Sequence, residues 1–315
     1  MKAVLDWINR PWIGAVLWLA GLAVPLALDQ TWMFIASLFA VYAIVALSQD
    51  IVLGRAGMFD MGHAVYFGIG AYATAILNTQ FNWPILATWP VAVLLAALAG
   101  AILSAPIVKL RGDYLLVVTI GLNAIFVLAL NNNLARMTGG PDGIFGIGVP
   151  SIFGWQLASA SAQFWLDWVA FAVTLILIHN LDRSHLGRTL YYIKHDQLAA
   201  TTMGIDTRAY KVLAFALSAA LAGFAGTLFA ALMAAVSPGA FVFTESVTLF
   251  AIVLVGGQGS IPGVLLGTAL MFVVPQAFRQ FAEYRYFVFG IAMVVVMVLR
   301  PQGIWPRRRG AGAKA

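Results

Sequence analysis

The stretch DRSHLGRTLYYIKHDQLAATTMGIDTRAYK, residues 182–211, carries charges of both signs in a chain that is otherwise overwhelmingly apolar. Its placement decides how the rest folds, because hydrophobic runs lie on both sides of it. Hydrophobic residues make up 62% and charged residues 10% of 315 positions, and mean hydropathy is +0.91. A soluble core of that size cannot hide so much apolar surface, so the composition places the chain in a bilayer.

Runs near the ~20 residues that cross a bilayer fall at about 12–28, 31–48, 62–78, 84–107, 114–131, 164–181, 210–235, 246–256, 262–279 and 286–300. The expected fold is all-α: a polytopic membrane helix bundle of about ten transmembrane segments in a single domain, residues 1–315. An even count puts both ends on one side. With the N-terminus inside, fifteen of the eighteen Lys and Arg residues fall on inner segments, among them Arg55, leaving Arg136, Arg279 and Arg285 outside. That asymmetry orients the chain. It puts both termini and residues 182–211 in the cytoplasm, whereas treating 246–256 as re-entrant would separate the ends and spoil it.

The net charge of +6 then describes inner loops at the anionic lipid of a cytoplasmic membrane, and no basic, aromatic-interleaved patch points to nucleic acid. The early LAVPLALDQTW lacks a small-x-small cleavage site, so 12–28 reads as an uncleaved first span. Zero cysteines exclude disulfides and thiolate metal sites.

Three places break the helix pattern. In VLGRAGMFDMGHAVYFGIGAY, residues 52–72, Gly54, Gly57, Gly62, Gly68 and Gly70 surround Asp60 and His63. So many glycines disfavour a continuous helix in water, yet in a membrane they permit close packing or an unwound stretch lining an enclosed cavity. In LVGGQGSIPGVLLGTAL, residues 254–270, Gly259, Gly263 and Gly267 are four apart and make a small-xxx-small face around Pro262. Each segment joins an apolar run to a glycine turn and then a helix, a pattern compatible with broken helices in two internal repeats. The third break is an outer loop, about 132–163, whose TGGPDG at 138–143 is turn chemistry. It is either a docking or lid surface or a long connector.

Within 182–211, Arg188 to Met203 is good helix-forming sequence, with Gly204 placed for a C-terminal cap. Leu190, Ile193, Leu198 and Met203 form no clean stripe, which argues against a helix lying on the membrane surface. The segment is either a short helix that presses on a soluble partner or a solvated tether between spans.

LAATTMG, with Ala199 and Ala200 ahead of Gly204, resembles the Glu-Ala-Ala-x-x-x-Gly loop of ABC importer membrane subunits, with Leu198 at the glutamate position and Asp196 two residues early. GHAVYFGIGAYATAIL, LRGDYLLVVTIGLNAIF, Thr138–Ile144, GRTLYYIKHDQLAATTMGIDTRAYKVLAFALSAALAGFAGTL, VLVGGQGSIPGVLLGTAL and RPQGIW follow in order from about residue 45 to 305. Together they resemble the LivM-type permease of branched-chain amino acid ABC transporters. Relatives that carry urea or short amides look similar, and Asp60 and Thr248 depart from the common pattern, with Glu245 near enough to Thr248 to stand in.

The resemblance implies two P-loop ATPase subunits, a second LivH-type permease and an extracytoplasmic substrate-binding protein as partners, and no cofactor. It makes Arg188, Lys194, His195, Asp196, Ala199, Ala200 and Gly204 the residues that couple to the ATPase. For the pathway or its gate the sequence offers Asp60, His63, Asn123, Glu245, Gly257 and Gly259. Asp60 and His63 are expected at the inner edge of the third span, as structural hydrogen-bonding groups or as a gate. Asn123 serves either a zwitterionic substrate or helix packing.

Enzyme chemistry finds no foothold: GxxxxGK[ST], HExxH and GxSxG are absent and the four histidines lack metal-ligand spacing. A self-sufficient secondary transporter is the stronger rival, but it would place ionisable residues deep in the bundle, where the sequence shows almost none.

Overall fold

The computed structural model describes residues 29–110, 113–152, 155–157, 159–273, 290 and 303–305. Helix α1, Gln30–Asp50, is apolar on all sides, and every residue from Ala40 to Asp50 is buried, as expected of a helix enclosed by others. It runs on into a π-turn, Ile51–Arg55, and the chain is then non-helical until α2, Ala64–Thr79. Helices α3, Ile85–Ile107, and α4, Asp113–Asn131, complete the first half.

Helix α5, Ala160–Arg183, leads into two short helices, α6, His185–His195, and α7, Gln197–Thr202. The chain turns there because Ser184 caps α6 by accepting from Gly187 N at 3.2 Å, and Asp196 caps α7 by accepting from Ala199 N at 2.9 Å. Asp206 then accepts from the N–H groups of Arg208 and Ala209, both at 3.1 Å, and starts α8, Thr207–Met233. Helices α9, Phe243–Gly256, and α10, Ile261–Thr268, follow, with a second π-turn at Ala269–Val273.

Small residues hold the bundle together. Ala92, Ala96, Gly100 and Ser104 recur every fourth residue on α3, and all four are buried. Opposite them on α8, Gly223 lies against Ala96 Cβ, and a Cβ on Gly100 would come within 2.5 Å of Ala219 Cβ. Gly70 of α2 lies on the backbone of Gly223 and Gly226 on that of Phe67. In lipid there is no hydrophobic drive to bring helices together, so close backbone approach of this kind has to supply the attraction. The outer faces of α3, α4 and α5 expose Leu98, Ile102, Val117, Ile125, Val173 and Ile176, which suits lipid or another membrane chain.

On the side where α8 ends, the TGGPDG loop is pinned. Strand β1, Ile144–Phe145, pairs antiparallel with β4, Ala235–Val236. Asn133 Oδ1 accepts from Thr138 N and Gly139 N, and Asn78 Oδ1 accepts from Gly148 N at 2.8 Å. Strands β2, Ser151–Ile152, and β3, Trp155–Gln156, make a small separate hairpin.

The chain is an all-α, multi-pass membrane protein. Six helical stretches among the described residues are long and apolar enough to cross a bilayer: Gln30–Arg55, Ile85–Ile107, Tyr114–Asn131, Ala160–Arg183, Thr207–Met233 and Pro238–Gly256. The run expected at 62–78 is the 16-residue α2, short of a full crossing, because 56–63 stays unwound beneath it. Ile261–Val273 is a shorter apolar stretch. The run at 12–28 lies outside the described residues, as does all of 286–300 except residue 290.

Candidate functional site

The two glycine-rich segments meet. Gly54, in the π-turn after α1, lies against the backbone nitrogen of Gly259, in the turn between α9 and α10. Asp50 Oδ1 accepts that same Gly259 N–H at 2.7 Å. Gly259 has φ +75°, a left-handed conformation that side-chain-bearing residues rarely adopt. It is therefore a turn residue rather than part of the expected helix face, which Gly263 and Gly267 build against Gly256 instead.

The other oxygen of Asp50 accepts from Arg55 Nη1. Arg55 also donates Nε to Asp182 Oδ1 at 2.8 Å and Nη2 to Asp182 Oδ2 at 2.9 Å. The end of α1 is thus joined to the end of α5, one residue pair before the short helices α6 and α7 begin. Arg55 is only 2% exposed. The sequence treats it as a loop cation, but its charge is buried between two carboxylates, where pairing offsets the desolvation cost.

A second polar cluster lies one layer further in. His63 contacts Ser48 Oγ through Nε2 at 2.8 Å and Asp60 Oδ2 through Nδ1 at 3.2 Å. Asp60 Oδ1 accepts from Gly62 N at 2.8 Å, and Gln49 Nε2 donates to the Asp60 carbonyl at 3.0 Å. Ser48 precedes Arg55 by two helical turns, about 10 Å along the axis. Asp60 and His63 are therefore fully buried against the last turns of α1. The unwound stretch carries them inward until Ala64 N donates to Ser246 Oγ of α9 at 3.1 Å.

Ser48, His63 and Asp60 have the connectivity of a nucleophile, base and orienting acid. All three are at most 1% exposed, so no substrate carbonyl can approach Ser48 in this conformation. In this conformation the cluster is a buried hydrogen-bond network joining α1 to the unwound stretch, with Ser218 of α8 donating to the Ser48 carbonyl at 2.5 Å. Asn123 Nδ2 donates to the Phe241 carbonyl at 3.2 Å, which is the helix-bridging alternative, while its buried Oδ1 has no hydrogen-bond partner. Glu245 lies in the first turn of α9, and Gly257 ends α9 by donating to the Val253 carbonyl at 3.0 Å.

The 182–211 segment divides its apolar residues between two sides, which is why they show no single stripe. Leu190 and Ile193 of α6 are buried, while Leu198 and Met203 are 73% and 82% exposed. Arg188, His195, Asp196 and Ala199 are exposed, Ala200 is buried, and Gly204 closes α7 with φ +81°. His195 stacks on Tyr191 with ring centroids 4.1 Å apart. Lys194 reaches the other way: its Nζ donates to the Gly54 carbonyl at 2.7 Å and to Gln258 Oε1 at 3.2 Å.

The family model described as branched-chain amino acid transport system / permease component matches residues 31–297. The chain belongs to this permease family. It is a membrane component of a transport system rather than an enzyme. It is 36% identical to the high-affinity branched-chain amino acid transport system permease protein LivM of Escherichia coli, over 98% of this chain and 79% of that one. Identity to the LivM protein of Salmonella typhimurium is also 36%, over 87% of this chain and 70% of the relative. To the LivH permease of Escherichia coli it is 24%, over 86% and 93%. No solved structure matches the chain.

Sequence reading missed Ser48, Asp50, Arg55, Asp182 and Gln258. The sequence offered one signal: Asp50 and Arg55 bracket four apolar or glycine residues at the end of a span. A permease interior this rich in ionisable groups also removes the sequence-level objection to a secondary transporter. Asp50 and Asp182 pair with Arg55, and Asp60 with His63, whereas the buried Asp167 of α5 is held by Gln163 at 3.3 Å without an ion pair, so pairing alone does not dispose of that rival.

Proposed function

We propose that the chain is the membrane-spanning permease subunit of an ATP-driven importer of branched-chain or related amino acids in the cytoplasmic membrane, with both termini in the cytoplasm. The 36% identity to LivM proteins over nearly the whole chain is the observation that carries this reading. Two P-loop ATPase subunits supply the energy, a LivH-type permease forms the other half of the pore, and an extracytoplasmic binding protein delivers substrate over the TGGPDG loop.

On this reading residues 1–315 are a single permease domain of about ten spans. The segments that meet at Gly54 and Gly259 are broken helices from two internal repeats, a view supported by their direct packing. Helix α7 docks on an ATPase, with exposed Leu198 and Met203 as its apolar contacts and Arg188, His195 and Asp196 setting charge register. Asp60, His63, Asn123, Glu245, Gly257 and Gly259 line or gate the route. ATP and loaded binding protein must favour different pore states, since a ligand shifts an equilibrium only by its difference in affinity for the two states.

A mild-detergent pull-down of the tagged chain from its native membrane, followed by mass spectrometry, tests the assembly. A P-loop ATPase and a second permease of similar size are expected. Recovery of the chain alone, still accumulating solute without ATP, would make it a secondary transporter.

A further inference from the structure

We propose that Lys194 is a positioning residue that ties the cytoplasmic helix α6 to both glycine turns, so that displacement of α6 moves the two turns together. The proposal rests on the packing of this chain and holds whichever partner moves α6.

Two helix C-termini converge at this point. The π-turn that ends α1 presents the Gly54 carbonyl, and Gln258 lies just past the end of α9. Helix C-termini carry partial negative charge and unpaired carbonyls, so bringing two together is unfavourable unless a cation lies between them. The Lys194 ammonium lies 2.7 Å from the Gly54 carbonyl of the first and 3.2 Å from the side-chain Oε1 of Gln258, two residues past the end of the second.

The side chain is guided there. Its stem lies over Gly57, where a Cβ would come within 2.8 Å of Lys194 Cγ; any larger residue at 57 would push the stem aside. The two turns are also joined through Asp50 and the Gly259 N–H. The chain entering α6 is held to the same π-turn by Asp182 and Arg55. Helix α6 is therefore fixed at both ends to one turn, and Lys194 alone among these groups also reaches the second turn from α6. Such a chain of direct contacts is a physical route for coupling.

The test is amide hydrogen exchange of the full-length chain, in its native complex in lipid nanodiscs, comparing wild type with K194M and K194R. Methionine keeps the stem and the helix propensity but removes the donor and the charge; arginine keeps both. K194M should raise exchange roughly tenfold at 254–260 as well as at 51–57, and K194R should stay near wild type. A rise confined to 185–204, no rise, or equal effects of the two variants would overturn the proposal. Should K194M fail to reach the membrane, Gln258→Leu carries the test from the other side: exchange must rise at 254–260 while 51–57 stays protected, and any other pattern overturns it.

Discussion

Arg55 and Asp182, far apart in the chain, face each other through two parallel hydrogen bonds of 2.8 and 2.9 Å. This fork joins the end of the most enclosed helix to the entrance of the 182–211 segment, and Asp50 completes it from within α1. A buried guanidinium between two carboxylates adds little net stability, but losing it leaves the buried Asp50 unpaired beside the partly exposed Asp182.

Arg55→Met should therefore cost about 3–5 kcal/mol and sharply lower membrane abundance. Arg55→Lys keeps the charge but not the fork geometry, so its loss should be smaller. Quantitative immunoblots and melting in detergent read both; equal abundance of R55M and wild type would show that the fork is not structural.

Small residues should matter by location. Gly223→Val would collide with Ala96 and the Ala92 carbonyl of α3, and is expected to destabilise the bundle by about 1–3 kcal/mol or more. Gly121, which has nothing within 4 Å of its Cβ position, should accept alanine with a gain of up to about 1 kcal/mol from helix propensity. Thermal shift of the two variants in one detergent checks the contrast.

The sealed Ser48 cluster makes a chemical prediction. A fluorophosphonate probe should leave Ser48 unlabelled in folded protein, and Ser48→Ala should cost about 1 kcal/mol of stability while retaining most uptake. Stoichiometric labelling at Ser48 would contradict the structural role given to it.

In the 182–211 segment, Leu198→Asp or Gly204→Trp should abolish uptake without lowering membrane abundance. Gly204 adopts φ +81° with open space around its Cβ position, so Trp there strains an exposed turn rather than the core. Parallel loss of abundance would point to a structural function for α7.

Much of the bundle was legible in sequence because lipid demands long apolar helices and leaves polar breaks conspicuous. Both glycine turns and the helical character of 182–211 stood out for that reason, but the single helix expected over Arg188–Met203 is broken at the extended Asp196 into α6 and α7. What the sequence hid is tertiary pairing. Arg55 looks like any loop cation until Asp182 is folded against it. Lys194 looks like a partner-facing charge until its stem is seen lying on Gly57. The every-fourth-residue stripe of α3 went unnoticed because Ala and Gly at 92, 96 and 100 add nothing to hydropathy contrast. The burial of Asp60 and His63 depends on an unwound stretch whose path no periodicity encodes.

The central claim, transport driven by a partner's ATP hydrolysis, is tested most directly in proteoliposomes containing the complex purified through this chain, with ATP inside and labelled leucine plus the binding protein outside. Leucine should accumulate with ATP and stop with a non-hydrolysable analogue. Accumulation of equal extent without ATP would contradict the account.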